Sequence, residues 1–98
     1  HVIISGGENI YPAELERLLA GHPDLIEFAI IGRDDERWGQ VPVVVAVRVS
    51  SDVEAAHILD VFNGEVARFK QPKDLIFVDA LPRNAIGKIV IDEIKKLL

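Results

Sequence analysis

Lys88 lies in the stretch Leu81-Pro82-Arg83-Asn84-Ala85-Ile86-Gly87-Lys88-Ile89, a cation on a loop stiffened by Pro82 and loosened by Gly87. A lysine presented in this way can meet an anion, although a Gly-Lys pair after a Pro-Arg-Asn turn is ordinarily a solvated loop. A second stretch at the other end of the chain, Ile3-Ile4-Ser5-Gly6-Gly7-Glu8-Asn9-Ile10-Tyr11-Pro12, ends a β-branched run with two adjacent glycines, where positive φ is allowed. The two stretches together carry the functional reading.

The remaining polar groups are poorer candidates. Asp34-Asp35-Glu36 are consecutive acids in one loop without further ligands, and they read as a solvated turn. His22 and His57 have no serine, cysteine or metal-ligand partner at a useful spacing, so both read as structural and no metal site is expected. The absence of cysteine excludes disulfides, a thiolate nucleophile and a zinc finger.

Charge is distributed unevenly. Residues 1–65 carry a net charge of −8 and residues 66–98 a net charge of +3, within an overall −5. The last third is thus suited to an anion, but three surplus charges fall short of a nucleic-acid-binding stripe, and a phosphate-bearing small molecule fits better.

A chain of 98 residues, 49% of them hydrophobic, can bury one core of moderate size. It cannot easily also enclose a large pocket, so a substantial ligand is expected to be shared with a partner surface, which favours a half-site over a complete enzyme. The apolar run Val41 to Val47 is far too short to span a bilayer, and no signal-peptide pattern opens the chain. A soluble, cytoplasmic domain is the default expectation. With no methionine anywhere, the chain is expected to be a piece of a longer protein, with His1 a tag remnant.

Several elements must position these residues. Val2-Ile3-Ile4-Ser5 reads as a strand entering the Gly6-Gly7 turn. A helix follows over about Pro12 to Ala20, with Pro12 at a first helical position, Glu14 and Glu16 near its start, and Leu15, Leu18 and Leu19 as its apolar stripe; Gly21 and Pro23 stop it. Leu25–Arg33 and Gln40–Val49 read as antiparallel strands around the polar loop Asp34–Gly39. Ser50-Ser51-Asp52 is placed to cap a second helix from about Val53 to Phe69, which Asn63-Gly64 kinks or divides. Lys70-Gln71-Pro72-Lys73 breaks that helix, Asp74–Leu81 reads as a third strand, a further strand could follow the loop, and Asp92–Leu98 reads as a short terminal helix. The expected fold class is α+β: a small antiparallel or mixed sheet with about three helices packed mainly on one face. The same β-α-β-β-α-β order suits ferredoxin-like regulatory domains, so fold alone does not choose function.

The sequence resembles the C-terminal domain of adenylate-forming enzymes, the superfamily of acyl-CoA synthetases, peptide-synthetase adenylation domains and luciferases. The resemblance covers essentially the whole chain. It rests on Ile4–Glu16, on Gly32-Arg33-Asp34-Asp35-Glu36-Arg37-Trp38-Gly39-Gln40, on Phe69-Lys70-Gln71-Pro72-Lys73, and on Leu81-Pro82-Arg83-Asn84 with Gly87-Lys88-Ile89. The Arg-Trp-Gly-Gln and Phe-Lys-x-Pro-Lys wordings lean toward bacterial acyl- or aryl-CoA ligases, fatty-acid and benzoate types included.

What the resemblance implies is a two-step ligase, in which a carboxylic acid attacks the α-phosphate of ATP and the thiol of CoA then displaces AMP. This chain would be the mobile lid, residues 1–98 forming a single domain, with the N-terminal domain and the hinge absent. ATP and CoA are then substrates, Mg2+ accompanies ATP in the full-length enzyme, and nothing is held tightly by the lid itself. The partners implied are the missing N-terminal domain, CoA and a carboxylic acid, with no nucleic acid and no membrane insertion; homo-oligomerisation stays open. Lys88 matches the lysine of adenylation, where a compact cation can contact both anions. Gly6-Gly7-Glu8 matches the loop lining the tunnel for the pantetheine thiol, where glycine lets backbone approach a thin ligand. Asn9 and Tyr11 are expected to brace that loop.

Trp38, Phe69, Lys70 and Lys73 extend the expected CoA site, as an aromatic and cations for a 3′-phosphorylated adenine nucleotide. Arg83, Asn84 and Gly87 are expected to shape the loop that holds Lys88. Two other readings remain: a lid passing the acyl group to a carrier protein, and a non-catalytic ferredoxin-like regulatory module.

Overall fold

A computed structural model describes residues 1–98. The chain runs β1 (Ile3–Ser5), β2 (Glu8–Ile10), α1 (Pro12–Leu19), β3 (Leu25–Asp35), β4 (Gly39–Arg48), α2 (Ala55–Leu59), a 3-10 turn at Asp60–Phe62 and another at Arg68–Lys70, β5 (Asp74–Phe77) and α3 (Ile91–Lys95). The sheet is mixed: β3 and β4 form a long antiparallel hairpin, β1 and β5 share the other edge of β4, and β5 runs parallel to it.

Strand β4 explains why Val41–Val47 is apolar without alternation. It is flanked on both edges and covered on both faces, so every residue from Val41 to Val47 is buried. Ile30, Val44 and Ala46 face a core built with Leu15 and Leu19 of α1, Ile58 of α2 and Phe62 of the 3-10 turn that follows it. Ala29, Ile31, Val45 and Val47 face the opposite way, onto Leu81 and Ile94 of α3.

The α+β class and the mixed sheet agree with the sequence reading, and several bounds differ. Two helices share one face, whereas α3 takes the other. Strand β2 is unanticipated: Gly6 and Gly7, both at positive φ (58° and 82°), form a two-residue hairpin turn that pairs Ser5 with Glu8. The expected helix over Val53–Phe69 is short, because Gly64 adopts φ 78° and turns the chain after Phe62. Ser50 caps nothing there; its hydroxyl accepts the Asp52 N–H at 3.3 Å. Strand β5 ends at Phe77 rather than Leu81, and beyond it only an isolated bridge, Arg83 to Ile89, stands in for another strand. No helix is long and apolar enough to cross a membrane.

Candidate functional site

Three separate segments converge on one cleft of about 170 Å3, lined by Ser5, Gly6, Glu8, Trp38, Phe69 and Lys73. The hairpin turn supplies the glycine wall. A Cβ on Gly6 would stand 2.9 Å from Trp38 Cε3, so glycine is required there by close approach as well as by φ. The Gly6 N–H donates to the Trp38 carbonyl at 2.8 Å, which ties the β1–β2 turn to the β3–β4 turn.

Trp38 is placed by Asp35, one of the three acids expected in a solvated turn. Asp35 Oδ2 accepts the backbone N–H of Arg37 at 3.0 Å and of Trp38 at 2.8 Å, folding the acidic loop into a turn. Asp35 therefore serves turn geometry, and the only sequence signal was an aspartate at a loop start. Arg37 also stacks its guanidinium 4.9 Å from the indole centroid, adding a cation beside the cleft.

The third wall comes from the end of the 3-10 turn. Phe69 is 41% exposed and so is not a core residue. Lys73 is held by its backbone N–H to Pro42 O (2.9 Å) and by Nζ to Arg68 O (3.2 Å), and it has no carboxylate partner. Of the expected cluster, Gly6, Glu8, Trp38, Phe69 and Lys73 come together; Gly7 and Lys70 do not line the cleft. Lys70 turns instead to Glu14 on α1 at 3.4 Å. Asn9 pairs with Ile4 in the hairpin, and Tyr11 is exposed ahead of α1.

Lys88 sits elsewhere, exposed and in no ion pair. Its loop is closed by Asn84, whose Oδ1 accepts the N–H of Ile86 (3.1 Å) and of Lys88 (3.0 Å) and whose own N–H donates to Lys88 O (2.9 Å). Gly87 completes the turn at φ 86°. Arg83 donates to Gly87 O at 2.8 Å and to Glu27 on β3 at 3.2 Å, which anchors the loop to the sheet.

That anchor fixes where the two candidate regions lie. Glu27 pairs with Val47 at one end of the β3–β4 hairpin, whereas the cleft is built at the other, where Asp35 pairs with Gly39. Eight residues of strand at about 3.3 Å each separate Glu27 from Asp35, on the order of 26 Å. The Lys88 loop and the Gly6 turn therefore flank opposite ends of one rigid sheet.

His22 and His57, read as unpartnered in sequence, are not: His57 Nε2 lies 3.0 Å from Asp24 Oδ2, and the two imidazoles meet edge to face.

The family model of the AMP-binding enzyme C-terminal domain matches residues 14–88. Indoleacetate–CoA ligase of Aromatoleum aromaticum is 50% identical over 98 residues, covering 99% of this chain and 19% of that protein. The long-chain-fatty-acid–CoA ligase FadD13 of Mycobacterium tuberculosis is 44% identical over 89 residues, 91% of this chain and 18% of that protein. Among solved structures, apo MatB from Rhodopseudomonas palustris superposes with a TM-score of 0.90 at 36% identity, covering 98% of this chain and 19% of that one. The chain thus spans about a fifth of the length of the relatives it matches.

Proposed function

Since this chain belongs to the AMP-binding enzyme C-terminal domain family, we propose that it is the mobile lid of an AMP-forming acid:CoA ligase, working with a larger N-terminal domain. In this reading Lys88 contributes to formation of the acyl-adenylate and the Gly6 turn to formation of the thioester. The carrying observation is the placement of those two regions at opposite ends of one sheet, on the order of 26 Å apart along the strands. A rigid body cannot bring both to one reaction centre at once, so the lid turns between the two half-reactions.

Lys88 suits the first step because an exposed ammonium without a carboxylate partner is free to contact both the α-phosphate and the acid carboxylate. Asn84 and Arg83 hold the loop backbone so that its placement costs little ordering entropy. Magnesium would travel with the ATP phosphates.

The cleft suits the second. At about 170 Å3 it is too small for a whole nucleotide, and it provides one wall of a site completed by another surface. Bare backbone at Gly6 accepts the thin pantetheine arm, Trp38 and Phe69 offer aromatic faces to adenine, and Lys73 offers a cation to phosphate. The relatives named above are CoA ligases, which supports CoA over a carrier protein as acceptor.

The test is thiol dependence in the complete enzyme: AMP release with acid and ATP should require free CoA. Release with a loaded carrier protein but not with CoA refutes the CoA reading. For the isolated chain, quenching of Trp38 fluorescence by CoA should saturate weakly, and the Lys73→Ala variant should weaken it further.

A further inference from the structure

We propose that His22, Asp24 and His57 form a binding site for a zinc-type divalent cation, between the α1–β3 turn and α2, on residues that belong to neither region described above. One ligand atom from each residue lies within 4.8 Å of those of the other two. His57 Nε2 and Asp24 Oδ2 are already 3.0 Å apart, and the His22 and His57 ring centroids are separated by 5.8 Å. A tetrahedral zinc with bonds of about 2.1 Å spaces its ligands about 3.4 Å apart, so the widest gap has to close by roughly 1.4 Å. The His57 side chain is 63% exposed and has the rotamer freedom to close it.

The turn after α1 presents the other two ligands. Gly21 adopts φ 75°, the His22 N–H donates to Leu19 O at 3.0 Å, and Pro23 stiffens the segment between His22 and Asp24. The Asp24 N–H donates to His22 Nδ1 at 3.1 Å. A cation ends that bond whichever nitrogen it takes: binding at Nδ1 displaces the N–H, and binding at Nε2 moves the ring proton onto Nδ1. The Asp24 amide is therefore a built-in reporter of occupancy.

Two imidazoles and a carboxylate select zinc, nickel or copper over magnesium or calcium, and solvent completes the fourth position. Asp52 and Glu54 line the same surface depression as Asp24 and His57, and no lysine or arginine does, so the local charge favours a cation. Occupancy would fasten the turn to a helix whose ligand lies 33 residues away.

The experiment titrates Zn2+ into the 98-residue chain by calorimetry, with amide NMR at about pH 7.5, since protons compete with the cation for its ligands at lower pH. The amino group and imidazole of His1 form a competing chelate, so the His1→Ser variant is the reference. One Zn2+ per chain is expected there, with a shift of the Asp24 amide, no response to Mg2+, and at least tenfold weaker binding in His57→Ala, His22→Ala and Asp24→Asn. His57 is exposed, so its removal leaves the fold intact, as circular dichroism would verify. Zinc binding that is absent, that vanishes in His1→Ser, or that persists unchanged in His57→Ala overturns the proposal and leaves His57–Asp24 as a plain hydrogen bond.

Discussion

The Trp38 indole packs against Gly6 so closely that a Cβ on the glycine would stand 2.9 Å from Cε3, while nothing lies within 4 Å of the equivalent position on Gly7. Both glycines occupy the left-handed region, at φ 58° and 82°. Gly7→Ala therefore meets backbone strain alone, about 1–2 kcal/mol, and leaves the cleft open. Gly6→Ala meets the same strain and a displaced indole, so it should cost more stability on denaturant unfolding. In the complete ligase, Gly6→Ala should lower thioester formation at least tenfold more than Gly7→Ala does, with adenylate formation less affected by both.

Asn84 is the positioning residue of the Lys88 loop, since its Oδ1 gathers two backbone N–H groups. Asn84→Ala frees that loop and should slow adenylate formation roughly tenfold, through the lost orientation of Lys88. Asn84→Asp keeps an acceptor oxygen and should recover most of the rate. Because the loop is exposed, neither change should alter stability by more than about 0.5 kcal/mol. Pyrophosphate exchange and thermal unfolding check the two halves of this expectation.

Much of this arrangement was legible in the residues, and the failures have physical causes. The run Val41–Val47 was legible as part of a strand, but its central place in the sheet came only with the structure, where burial on both faces accounts for the missing alternation. Strand β2 was missed because two of its three residues, Glu8 and Asn9, are polar and exposed. The second helix was overextended because Ile58, Leu59, Phe62 and Val66 keep helical spacing past Gly64, whose positive φ periodicity does not register. Gly6 came with the family resemblance, whereas Trp38 and Lys73 were grouped with it only as an aromatic and a cation suited to a nucleotide, because the three lie on different segments and no spacing joins them. Asp35 was read as one acid of a solvated turn and its hold on the turn went unseen because it acts through backbone N–H groups, while the His22–Asp24–His57 cluster exists only after folding.

Asp74 links β5 to β3 across β4 through Arg33 Nη1 at 2.9 Å. That hydrogen bond, with help from the Leu75 N–H and against partial burial, holds the carboxyl below the usual aspartate value of 3.8. A lowered folded-state pKa means that the pair stabilises the fold above the ordinary carboxylate range and that this contribution fades as pH falls through it. With the Asp74 side chain 48% exposed, the effect is screened and stays under about 1 kcal/mol. Asp74→Asn should lower unfolding stability slightly at pH 7 and flatten its decline below about pH 4, as measured by urea unfolding over a pH series.

The proposed division of labour between Lys88 and the Gly6 cleft is tested most directly by Lys88→Ala in the complete ligase. Adenylate formation, followed by pyrophosphate exchange, should fall about a hundred- to a thousandfold. Thioester formation from supplied acyl-adenylate and CoA should stay within a few-fold of the unaltered enzyme. Equal loss of both half-reactions, or loss of neither, contradicts the assignment.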